Sequence, residues 1–249
     1  MSTLRPRHAV SRIRAAAARP RRAHLVGLLT FASGGVDAVT LMVLGGAFTS
    51  VITGNLIFFG RAVGTSSPGL ALHSVLAVGG YVTGVAVGSA LAHRGEPPVP
   101  AAGWPRRATV VLAAECVVLL TVNVAWVGYH ARPPAPAVDL LLVATALALG
   151  MQGAAARAIA GTPSTTYMTG ALTVLVEALS TGRRQGVDAS AVVGLLTLMV
   201  GAACGALLVT YARPCALLPP LVAVALVVLV KSRHHRGERS SAQGPGTAS

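Results

Sequence analysis

The chain has 249 residues, of which 53% are hydrophobic and only 11% charged, against about 25% charged in an ordinary soluble domain. A protein bathed in water on all sides is therefore excluded. The formal charge of +13 would suit nucleic acid, but it is gathered at the two ends of apolar sequence, with no aromatic-interleaved basic patch to read bases.

Residues 1–23 form a basic tail with seven arginines, Arg5 to Arg22. Arg21-Arg22 ahead of an apolar run faintly resembles a twin-arginine signal. The run continues past any plausible cleavage position, however, and is read as a retained span. Six stretches are long enough to cross about 30 Å of hydrocarbon as helices: 24–44, 71–92, 108–129, 138–160, 189–211 and 214–230. Two shorter apolar stretches, 47–60 and 164–179, carry Thr, Gly and Asn or Glu and are predicted to be half-helices. Pro97, Pro98, Pro100 and Pro105 make 93–107 a stiff connector. The Ser/Gly-rich end, 232–249, is expected to be disordered.

The chain repeats itself. Phe31-Ala-Ser-Gly-Gly-Val-Asp37, followed by Thr53-Gly54-Asn55-Leu56, returns 116 positions later as Leu147-Ala-Leu-Gly-Met-Gln-Gly153 and Thr169-Gly170-Ala171-Leu172. Two related halves, about 24–130 and 138–231, follow from it. With six spans, 17 basic residues fall on one side and three (Arg61, Arg132, Arg213) on the other. With eight spans the split is 15 to 5, so six obeys the positive-inside rule better. Three spans per half is an odd number, so the halves would be inverted, with both termini in the cytoplasm. The expected fold is an all-α membrane protein of about six transmembrane helices in two three-helix repeats, each with a short broken helix.

Asp37 is the sharpest candidate site residue. A carboxylate in the middle of a span costs about 2.5–3.5 kcal/mol, so it either couples a proton or cation or pairs to hold helices together. Arg157 lies one turn beyond the repeat position of Asp37 and either approaches it or snorkels to the inner surface. Thr53, Gly54 and Asn55, with Thr169 and Gly170, open the two short stretches. Interrupted helices at matching places in two halves point to a transporter's binding site, with helix capping as the alternative. Gln152 either glues helices or touches solute. Gly80, Gly84 and Gly88, and Gly201 and Gly205, form small-residue stripes for helix packing. Glu115 is placed near an interface and expected to be solvated, as are Asp139, Asp188 and His73, while Glu177 is a weaker version of Asp37. Cys116, Cys204 and Cys215 fit no zinc spacing. No enzyme motif appears, so no catalytic residue, cofactor or metal is expected.

Gly34-Gly35-Val36-Asp37-Ala38, Leu44-Gly45-Gly46-Ala47-Phe48 and Thr53-Gly54-Asn55 together resemble the YoaK-like family of bacterial integral membrane proteins, a domain of unknown function. The stretch from Gly150 through Gln152 to Arg157, followed by Pro163 to Gly170, is similar to that family's second motif. The family often has Asn after the Gln, where this chain has Gly153. The resemblance covers about 24–231 and implies a multi-pass inner-membrane protein with no established substrate. Two functions are weighed: a permease or channel-like secondary transporter for a small-molecule solute, and a non-transporting membrane scaffold or assembly partner. The expected partners are the lipid bilayer, such a solute and a second copy of the chain (a homo-oligomer), with no nucleic acid.

Overall fold

A computed structural model describes residues 6–93, 104–159, 168–181 and 189–242. In chain order the helices are α1 (Pro6–Val43), α2 (Ile52–Gly64), α3 (Pro68–His93), α4 (Arg106–Gly128), α5 (Ala135–Ala158), α6 (Met168–Ser180), α7 (Ala189–Tyr211) and α8 (Leu218–Ala242), with a 3-10 turn at Arg213–Cys215 before α8. In lipid every backbone N–H and C=O must be met within the protein, and an apolar helix does this within one segment.

Among the described residues six helices are long and apolar enough to cross a membrane: Ala23–Val43, Pro68–Ala92, Arg106–Gly128, Ala135–Ala158, Val192–Tyr211 and Arg213–His235. The other two, α2 and α6, have 13 residues each, about 20 Å at 1.5 Å per residue. That is too short to span. Two expectations at the termini change in detail. The N-terminal tail is helical from Pro6, continuous with the first span. α8 continues to Ala242, so 232–242 are helical rather than disordered, because no proline or paired glycine interrupts the run.

The halves are interleaved rather than side by side. α1 packs chiefly on α7, and α5 chiefly on α3. The contacts depend on glycine. A Cβ added at Gly84 would overlap the Leu147 carbonyl, and one at Gly150 the Tyr81 carbonyl. In the other pair, a Cβ at Gly34 would overlap the Leu198 carbonyl and one at Gly201 the Phe31 carbonyl. Backbone lies on backbone in both crossings, as small-residue stripes permit. Gly80 meets Val143, Gly84 meets Leu147 and Gly88 meets Met151, so α3 and α5 run parallel. Gly27 meets Val193, Gly201 meets Phe31 and Gly205 meets Gly35, so α1 and α7 also run parallel.

α4 and α8 run antiparallel. Trp104, just before α4, lies under Lys231 with the ammonium 4.5 Å from the ring centroid. Trp126, at the far end of α4, donates its Nε1–H to the Arg213 carbonyl at 3.0 Å, and the Arg213 guanidinium stands 5.8 Å over its ring. If α2 and α6 crossed the membrane, α4 and α8 would have to run parallel. Direction and length therefore agree on six crossings.

Two buried clusters stack along the bundle. One gathers Leu25, Leu29, Trp104, Leu112, Met151, Ile159 and Val227, from the start of the first span and of α4 and from the later part of α5 and of the last span. The other gathers Val39, Leu44, Trp126, Leu141, Val209 and Leu217, from the opposite helix ends.

Candidate functional site

The link between α1 and α2 is the best-defined polar feature. α1 stops at Val43, and the chain turns through Gly45 and Gly46 with φ of +88° and +71°. These left-handed values suit glycine, and a Cβ at Gly45 would also strike the His73 ring at 2.7 Å. The chain then runs back to Asp37, which lies six residues, about 9 Å, below the helix end. The Asp37 carboxylate accepts from the Thr49 N–H at 2.6 Å, the Thr49 hydroxyl at 2.9 Å, the Ser50 N–H at 2.8 Å and the Ser50 hydroxyl. Asp37 is 5% exposed, and Thr49 and Ser50 are equally enclosed. At about 1 kcal/mol net each, four hydrogen bonds match the insertion cost of a carboxylate, about 2.5–3.5 kcal/mol. The segment 44–51 is thus re-entrant, and α2 starts inside the fold.

Asn55 makes a second clamp. Its Nδ2 donates to the Phe48 carbonyl at 2.6 Å and its Oδ1 accepts the Phe48 N–H at 2.9 Å. Phe48 stacks on Phe58 with centroids 5.5 Å apart, and a Cβ at Gly54 would press on the Phe48 ring at 2.9 Å. Thr53 faces outward. Of this trio, then, Asn55 is spent on the loop, Gly54 makes room for Phe48, and Thr53 is exposed.

Asp37 and Arg157 do not meet. All four donors on Asp37 come from Thr49 and Ser50, and Arg157 is exposed near the end of α5. His73 Nε2 and Asp139 Oδ1 lie 3.0 Å apart and join the starting ends of α3 and α5. In the second half Gly170 is half-buried in the first turn of α6. The Thr169 side chain and residues 160–167 lie outside the described part.

A different group of polar side chains occupies the centre of the bundle. Gln152, on α5, reaches α1: its Nε2 donates to the Ser33 hydroxyl at 2.7 Å and to the Leu29 carbonyl at 3.1 Å. Its Oε1 is buried without a partner. Glu115, on α4, is 0% exposed, and neither carboxyl oxygen has a hydrogen bond. This corrects the expectation of a solvated Glu115. The residue sits near the middle of a 23-residue helix, and Leu112 and Leu119, three before and four after, put its face in the core. The Leu112/Leu119 spacing was the available signal. A buried acceptor without a donor costs about 1–3 kcal/mol, so the interior around α1, α4 and α5 carries unmet polarity.

These features define a polytopic α-helical membrane protein with two interleaved halves, each holding one short helix. The chain belongs to the family described as a protein of unknown function, DUF1275, whose model matches residues 25–230. It is 32% identical over 158 residues to the UPF0700 transmembrane protein YoaK of Bacillus subtilis (strain 168), a match covering 63% of this chain and 66%, just under two thirds, of that relative. No solved structure matches.

Proposed function

We propose that the protein is a permease or channel-like secondary transporter for a small polar solute, set in the bacterial inner membrane with both termini in the cytoplasm. In this reading the two halves are inverted repeats. The parallel α1/α7 and α3/α5 pairs and the antiparallel α4/α8 pair support that arrangement. The solute passes between the halves along the contact of α1 with α5, flanked by Ser33 and Gln152, while Arg157 faces the cytoplasmic surface. Asp37 and Asn55 serve by holding the first re-entrant segment in place rather than by touching solute.

The observation that carries the reading is unmet polarity deep in an otherwise apolar bundle. Gln152 Oε1 and both Glu115 oxygens are buried without donors. A protein that only anchors others has no need of such a centre, and polar groups inside membranes mark solute and ion paths. The scaffold alternative drew on the glycine stripes, but Gly80, Gly84, Gly88, Gly201 and Gly205 all lie against helices of their own chain.

The test is a thermal-shift screen of small polar solutes on the purified full chain, followed by uptake into reconstituted vesicles. A true solute at about 100 times its Kd adds about 2.7 kcal/mol to the folded state and enters vesicles faster than it enters empty ones. If solutes of every charge class leave both measurements unchanged, the proposal fails.

A further inference from the structure

Resting on that transport reading, we propose that Glu115 is the proton-binding group of the transporter, with the free carbonyl of Gln152 as the second polar atom of the same buried site. Asp37 looked like the coupling carboxylate in the sequence, but its oxygens are occupied by Thr49 and Ser50.

The geometry singles out Glu115. It is fully buried with two unmet acceptor atoms. Its neighbours on the helix face, Leu112 and Leu119, belong to one cluster with Ala148, Met151 and Ala155, the residues around Gln152 on α5, and with Leu29, which accepts the Gln152 amide. Three acceptor atoms thus border one apolar cluster, and among the described residues no donor reaches any of them. A metal ion would want about six oxygens, whereas a proton needs one. When the carboxylate takes a proton from water on one side, its charge is cancelled and it becomes a donor able to serve a carbonyl. Release to the other side restores the anion.

Among the described residues no other titratable group takes this role. On α5, Asp139 pairs with His73 of α3 at one end and Arg157 is exposed at the other. On α3, the Tyr81 hydroxyl fills the space at Gly153. Arg213 and Lys231 lie over Trp126 and Trp104 towards the two ends of the last span, Arg213–His235, where His234 and His235 follow Lys231. On α4, Arg106 and Arg107 sit in the first turn and Cys116 follows Glu115 directly.

The experiment uses the full chain in lipid nanodiscs, with Glu96→Gln, Glu177→Gln and Glu238→Gln, which leaves Glu115 as its one glutamate. Glutamate labelled with carbon-13 at the carboxyl then reports on Glu115 alone, without altering it. The expected result is a protonated-acid signal at neutral pH in the folded protein, sensitive to deuterium oxide. An ionised signal at neutral pH would overturn the proposal. In vesicles holding a solute found by the uptake screen, Glu115→Gln should make uptake indifferent to the pH gradient. Uptake that still follows the gradient sinks the coupling role while the permease reading stands. If the acid is protonated but no solute moves, the permease reading falls and the coupling falls with it.

Discussion

The two short helices look like copies in sequence but differ in the side chains available to hold them. In the first half, Asp37 and Asn55 tie the link 44–51 with six hydrogen bonds, and α2 is pinned at its start. In the second half the repeat places Gly153 where Asp37 stands and Ala171 where Asn55 stands. Neither can make such a bond through its side chain, and the space a side chain at Gly153 would need is taken by the Tyr81 hydroxyl, 2.8 Å from where its Cβ would lie. The lesson is that a motif repeated in sequence can carry a given pair of polar anchors, here Asp37 and Asn55, in one copy only.

What the halves share should be the most fragile feature. Gly84→Leu and Gly201→Leu each force a branched side chain into a backbone contact, and each should cost about 3 kcal/mol or more. The measurement is the yield of monodisperse protein and its melting in detergent. A variant that melts like the parent would refute the interleaved pairing.

Asp37→Ala should come next, at about 3 kcal/mol, since it strands the buried N–H groups and hydroxyls of Thr49 and Ser50. Gly153→Asp should not stabilise the second half in return, because the Tyr81 hydroxyl occupies the space the new side chain would need. A gain in melting temperature from Gly153→Asp would show that the halves are more alike than described.

Asn55→Ala removes two hydrogen bonds to Phe48 and should cost about 1–2 kcal/mol, with more proteolysis between α1 and α2. The smallest effect is expected from Gln152→Leu. It loses two hydrogen bonds but also removes a buried acceptor that has none, so stability should change by less than about 1 kcal/mol. Uptake should fall in this variant all the same, and unchanged uptake would remove Gln152 from the pathway.

The fold was legible where hydropathy and charge decide it. Six spans, two short helices and their order follow from apolar run length and the placement of arginine, which physics ties directly to the bilayer. The crossed pairing of α1 with α7 and of α5 with α3 was not legible. Gly84 and Gly201 announce a packing face without naming the helix that will lie on it, and Gly34 and Gly150 were read only as parts of the repeat. The site divided in the same way. Asp37 and Asn55 stood out because polar residues in apolar runs are rare, yet their partners, Thr49, Ser50 and the Phe48 backbone, depend on a loop that turns back. Glu115 was missed because counting from the start of a span ignores which face is buried.

The contact between α1 and α7 also bears on how the protein is made. α1 is translated well before α7, the helix that lies against Gly34 and Gly35. For most of synthesis, that glycine-lined groove must wait in the bilayer or against the insertion machinery. Assembly therefore cannot proceed one half at a time, and a ribosome stalled before Ala189 would leave the opening helix of the chain without its mate.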